Sequence, residues 1–105
     1  MAENLLADLP DARQTEQFTQ LLQRPGLRIE RIVSRGQCSP PDDWYDQNEH
    51  EWVLLLQGAA ELMLADGSVI RLTAGDHVYL PAHEKHRVHW TDPQQDTVWL
   101  AVFHR

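Results

Sequence analysis

The chain is poor in the features that would settle its class at once. It has a single cysteine, Cys38, so no disulfide can form within it, and a reducing cytoplasm is the expected setting. Basic residues are scarce: nine Lys and Arg stand against sixteen Asp and Glu, a formal net charge of −7. Such a chain repels phosphate backbones and anionic bilayers, which argues against nucleic acid and membrane surfaces as partners. Its apolar runs, such as residues 52–56, fall far short of the roughly 20 residues of a spanning helix. The opening MAENLLADLPDA has neither a basic start nor a long apolar stretch, and is not expected to act as a secretory signal. No GxSxG elbow surrounds Ser39 and no glycine-rich phosphate loop occurs, so nucleophilic hydrolysis and nucleotide binding lose their usual signatures.

What remains fits one domain over residues 1–105. With 42% hydrophobic and 24% charged residues, and no repeat or low-complexity tract, the composition is that of a globular chain with one core. Residues 1–26 read as an N-terminal extension and 27–105 as the main body. Pro10 blocks a continuous helix in the first sixteen residues. Phe18, Leu21 and Leu22 fit helical spacing, but the turn Arg24-Pro25-Gly26 followed by LRIERIVS favours a hairpin. Residues 27–34 read as a strand. The next sixteen, RGQCSPPDDWYDQNEH, are dense in turn formers and read as a long loop of the kind that often carries function.

From Glu51 onward every segment reads as a short strand: 51–57, 60–65, 68–72, 77–80, 86–91 and 97–104. Asp66-Gly67 predicts a type I′ hairpin turn. Short strands punctuated by turns predict a sandwich or barrel. Two strands are apolar on both faces: Trp52, Leu54 and Leu56 alternate with Val53 and Leu55, and Trp99, Ala101 and Phe103 with Leu100 and Val102. One face lines the interior, and the other needs cover from a second copy in a homodimer or from N-terminal strands.

Two spacings carry chemistry. The first is Glu51 followed by six residues and Gly58; the second runs Gly75, five residues, Pro81, four residues, His86. Over residues 36–58 and 75–91 the chain resembles the two motifs of the cupin superfamily. The resemblance implies an all-β, RmlC-like jelly-roll barrel, preceded here by a short irregular or hairpin extension. It also implies a divalent metal (Mn, Fe, Ni or Zn) at the strand ends, with Glu51 and His86 in two of four ligand positions.

The departures are as specific as the matches. Where the family has His-x-His, this chain has WYDQ, which puts Trp44 and Asp46, or Tyr45 and Gln47, at the missing ligand positions. In the second motif His83 replaces the glycine after proline and Trp90 the final asparagine. A residual metal set would be Glu51, His86 and either Asp46 or Gln47, with His83 close enough in sequence to swing in. Tyr45, Trp44, Trp90 and Trp52 are candidates to stack on a flat or sugar-like ligand, with His83 at the rim. Among the six histidines, 50, 77, 89 and 104 are assigned structural or surface roles. Two functions follow. One is a mononuclear metal enzyme of dioxygenase, isomerase or decarboxylase type acting on a small organic molecule. The other is a metal-free module that binds or senses such a molecule.

Overall fold

The computed structural model describes residues 1–105 and contains eight strands and no helix. In chain order they are β1 (Gln17–Arg24), β2 (Leu27–Ser34), β3 (His50–Gln57), β4 (Ala59–Leu64), β5 (Val69–Thr73), β6 (His77–Leu80), β7 (His86–Thr91) and β8 (Thr97–His104). They form two antiparallel sheets, ordered β1-β2-β8-β3-β6 and β5-β4-β7. Hydrogen bonds do not close the barrel; the two sheets face each other as a jelly roll. With no helix present, none is long and apolar enough to cross a membrane.

Period-2 alternation decides which side chains fill the interior. Val53 and Leu55 of β3 point inward with Trp99 of β8, and meet Ala60, Leu62, Leu72 and Leu80 in one buried cluster. Leu55 and Ala60 are fully buried. The ambiguous segment before Pro25 is a strand: β1 pairs with β2 from Gln17↔Val33 to Arg24↔Leu27, so hairpin geometry overrides the helical spacing of Phe18, Leu21 and Leu22.

The outer face of the larger sheet is only partly covered. Leu9 and Ala12 of the irregular N-terminal segment pack against Val33, Val98 and Leu56 at one end, and the carbonyl of Leu5 accepts a hydrogen bond from Arg31 (3.1 Å). Trp52, Leu54, Leu100 and Val102 stay half-buried beyond that cover. The N-terminal strand extends the sheet edge rather than lying over this face.

One turn departs from expectation. Of Asp66 and Gly67 only Gly67 has positive φ (88°), whereas a type I′ turn needs it at both central residues. The Gly67 amide instead donates to the Leu64 carbonyl (2.9 Å) and the Leu64 amide to Ser68 (2.9 Å), which describes a type I turn closed by a glycine bulge. The Asp66 carboxylate accepts from the Ser68 amide and hydroxyl, favouring the longer loop.

Gly58 sits where the chain leaves one sheet for the other. Its φ is 92°, and a Cβ there would lie 2.4 Å from Thr97 Oγ1 and 2.6 Å from Thr97 Cα. Thr97 Oγ1 meanwhile donates to the Ala59 carbonyl (3.2 Å) and accepts from the Ala59 amide (3.3 Å), tying the sheets together at this crossing. The six-residue spacer between Glu51 and Gly58 is therefore the length of β3, with an inward carboxylate at one end and a sheet crossing at the other.

Candidate functional site

At the Glu51 end of β3 the sheets enclose a cavity of about 90 Å³ that opens to solvent. By the measure in which one water needs roughly 10–15 Å³, this holds several waters or one small organic molecule. Its walls are apolar, with Val53, Leu62, Leu80, Val88, Trp99 and Phe103 among them. Its polar groups are Glu16, Glu30, Tyr45, Gln47, Glu51 and His86.

Glu51 and His86 face each other across this space, with His86 Nε2 3.4 Å from Glu51 Oε1. Both are buried, at 8% and 5% exposure. The Glu84 carbonyl lies 2.9 Å from His86 Nδ1 and can only accept, so Nδ1 carries a proton and Nε2 is left to address the carboxylate. Burial is the largest influence on His86 and would lower its pKa. The Glu51 carboxylate and the Glu84 carbonyl together outweigh it, so the net shift is upward from 6.5. Gln47 Nε2 donates to the same Glu51 Oε1 (3.0 Å), while Oε2 receives no hydrogen bond from the protein.

The WYDQ segment reaches the site through an isolated bridge. The Tyr45 amide donates to the His86 carbonyl (2.8 Å) and the His86 amide to the Tyr45 carbonyl (3.2 Å). Extended backbone then alternates the four side chains. Tyr45 and Gln47 line the cavity, the Tyr45 ring 5.4 Å from that of His86. Trp44 and Asp46 point away. Trp44 lies under the Arg87 guanidinium, 5.5 Å from ring centre to Cζ. Asp46 Oδ1 meets His83 Nδ1 at 2.8 Å on the exposed rim. The shorter of the two spacers thus describes the geometry, and Asp46 and His83 are held by each other outside the cavity lining.

His83 has a φ of 66°, a left-handed conformation in which glycine costs least and histidine is enriched among other residues. Its amide donates to the Gln47 carbonyl (2.8 Å), fixing the loop after Pro81 against WYDQ. Trp90 and Trp52 also lie outside the lining. Trp90 stands beside Arg71 (5.2 Å), and Trp52 packs on His77 (5.5 Å) on the outer face. Trp52 is out of phase with the inward Glu51 and Val53, whereas Trp90, in phase with His86 and Val88, is turned outward by the register shift opposite Glu61 and Leu62.

The sequence reading missed Glu16, Phe18 and Glu30. Glu16 accepts a hydrogen bond from the buried Ser34 hydroxyl, which itself accepts from Trp99 Nε1 (3.1 Å). Glu30 pairs with Arg28, which also reaches Glu49 (3.2 Å) and lies over the Phe103 ring (3.7 Å). A signal for Glu30 was present, because it shares its strand phase with inward Ile32. Glu16 and Phe18 enter only through the pairing of β1 with β2.

The donor set does not fit a resident catalytic metal. Such sites use three protein ligands, and nowhere do three or more His, Cys, Asp or Glu converge as a metal cluster. At the cavity Glu51 and His86 are the only such pair in contact, and Asp46, the other carboxylate of the expected set, is held by His83 on the rim.

Comparison with known proteins agrees with the fold. The cupin-domain family model matches residues 31–103. A crystal structure from Ralstonia eutropha JMP134, described as a "putative mannose-6-phosphate isomerase", is 46% identical, with 99% of this chain and 97% of that one covered and a TM-score of 0.93. A cupin superfamily protein from Desulfitobacterium hafniense DCB-2 (22% identity, TM-score 0.79, 98% and 90% covered) shares the fold. So does an RmlC-like cupin from Desulfovibrio desulfuricans (18%, 0.77, 98% and 95%). No curated protein matches the chain. The motif spacings, the two-sheet jelly roll and the family match over most of its length together place this chain in the cupin superfamily.

Proposed function

We propose that this cupin binds a small organic molecule in the cavity between its sheets and exchanges protons with it through Glu51 and His86, without a resident metal. The observation that carries the reading is the Glu51–His86 pair, 3.4 Å apart in an apolar enclosure, with His86 Nδ1 anchored so that Nε2 holds the mobile proton. A carboxylate base beside a protonated imidazole suits isomerisation. Glu51 Oε2 removes the proton next to a carbonyl, and His86 Nε2–H protonates the carbonyl oxygen, giving an enol. Glu51 then gives its proton to the neighbouring carbon while the hydroxyl on the first carbon gives its own to His86 Nε2, which forms the new carbonyl and restores both groups. Tyr45, whose hydroxyl is held neutral by burial and by the nearby Glu16, Asp43 and Glu51 carboxylates, stands at the mouth as a hydrogen-bond donor.

The description of the Ralstonia protein as an isomerase agrees with this class of chemistry. Its phosphorylated sugar transfers less readily, because neither Lys nor Arg lines the cavity here. The test is deuterium incorporation from D₂O into the carbon beside the carbonyl of dihydroxyacetone, aminoacetone and pyruvate, followed by NMR. Wild type should exchange at least one of them faster than Glu51→Gln and His86→Asn, with both variants folded. Equal rates in all three proteins would overturn the assignment.

Two further expectations belong to this reading. A second copy packing on Trp52, Leu54, Leu100 and Val102 would complete the cover of the outer face, giving a homodimer measurable by light scattering. The lone, exposed Cys38 suits a reducing cytoplasm.

A further inference from the structure

The cavity has one sign of charge. Glu16, Glu30 and Glu51 line it, and of the lining side chains only His86 can become positive. Arg28 stands next to the lining over Phe103, but it is shared between Glu30 and Glu49, so even with His86 protonated four carboxylates face two cations. Glu51 Oε2 accepts no hydrogen bond from the protein, on a side chain 11% exposed to the cavity. Phe18, Tyr45, Trp99 and Phe103 also line it, and aromatic rings attract cations by their quadrupoles, as Arg28 over the Phe103 ring already does. The negative field also reaches Tyr45, whose hydroxyl is pushed up by burial first and then by Glu16, Asp43 and Glu51.

We infer that the ligand is a small organic cation, an amine with a compact apolar body, whose ammonium sits between Glu16 and Glu30 and leaves Glu51 Oε2 free to act as the base. The inference rests on the reading of the cavity as a small-molecule site and adds its substrate class. Glu16 and Glu30 then act as specificity residues contributed by the N-terminal hairpin. They select charge without taking part in proton transfer.

Three probes of matched shape separate charge from size: benzylamine, benzyl alcohol and benzoate, titrated into the protein at pH 7 and followed by calorimetry and by amide chemical shifts. Benzylamine should bind about tenfold or more tightly than benzyl alcohol, and benzoate weakest, as expected for charges at close range in a partly desolvated site. Glu16→Gln and Glu30→Gln should each narrow the gap between amine and alcohol. Raising salt should weaken amine binding while leaving alcohol binding unaffected, because the cavity opens to solvent. Alcohol binding as tightly as the amine, or benzoate binding best, would overturn the charge assignment and leave the small-molecule site standing. Failure of all three probes to shift any cavity residue at millimolar concentration would overturn both. If Glu16→Gln is unfolded, Glu30→Gln decides the question, since Glu30 lies outside the Ser34–Trp99 hydrogen-bond chain.

Discussion

Replacing Gly58 by alanine should unfold this protein far more readily than the same change at Gly67, although both glycines have nearly the same φ. Their φ values are 92° and 88°. Putting an L side chain in that region costs about 1–2 kcal/mol, offset by about 0.4–1 kcal/mol from the reduced freedom of the unfolded chain. At Gly67 nothing lies within 4 Å of the new methyl, so the net loss should be only about 0.5–1 kcal/mol. At Gly58 the methyl would meet Thr97 Oγ1 at 2.4 Å, Thr97 Cα at 2.6 Å and the Asp96 carbonyl at 2.8 Å. Two of these are backbone atoms and cannot rotate away. The Thr97 hydroxyl is held by Ala59 on the facing sheet, so relief means separating the sheets at their crossing. Overpacking of this kind adds about 1–3 kcal/mol, for a total near 2–4 kcal/mol. At about 5 °C per kcal/mol, Gly58→Ala should lower Tm by about 10–20 °C and Gly67→Ala by under about 5 °C. Thermal unfolding by circular dichroism measures both. Equal losses would refute the claim that the motif glycine is retained for the sheet crossing rather than for its turn.

Three other outcomes follow from the same contacts. Trp99→Phe removes the indole donor to the buried Ser34 hydroxyl and leaves a void, and should cost about 2–4 kcal/mol by urea unfolding; a loss below 1 kcal/mol would discount this hydrogen-bond chain. Because the His86 pKa is raised on folding, its contribution to stability is complete below its ordinary 6.5 and is lost as pH rises through the higher folded value. Tm should therefore fall as pH increases above 6.5, and Glu51→Gln should flatten that dependence; a wild-type curve that rises instead would contradict it. Incubation with Mn, Fe, Ni or Zn followed by dialysis should leave well under one equivalent bound. A stoichiometric metal, or stabilisation by about 2.7 kcal/mol at a hundredfold excess over its dissociation constant, would contradict the two-ligand reading.

Much of the fold could be read from the chain because its signals are local and repeat along it. The Glu51–Gly58 and Gly75–Pro81 spacings encode strand lengths and turns, and the strands from β2 onward fall within a residue or two of their expected positions. The site was only half legible. Glu51 and His86 follow from the motifs, but the choice between Tyr45/Gln47 and Trp44/Asp46 depends on one cross-loop bridge to His86 that no local pattern encodes. Trp52 and Trp90 show the same gap between residue type and direction: Trp52 is set by strand phase, and Trp90 by a bulge that reverses the phase counted from His86. Glu16 and Phe18 were out of reach, because they arrive by a hairpin whose register is fixed in three dimensions. The turn at Asp66-Gly67 was placed correctly and typed wrongly, because the Asp66 side chain caps a longer loop than the dipeptide alone suggests.

The central claim is that Glu51 and His86 share a proton in the cavity. The most direct test is the titration of the His86 ring followed by NMR in wild type and in Glu51→Gln. The wild-type imidazole should titrate above 6.5 and keep its Nδ1 proton bonded to the Glu84 carbonyl. In Glu51→Gln, with the carboxylate gone and burial unopposed by it, the His86 pKa should drop. Identical titration in the two proteins would show that the carboxylate does not hold the imidazole proton, and would remove the basis for proton transfer at this site.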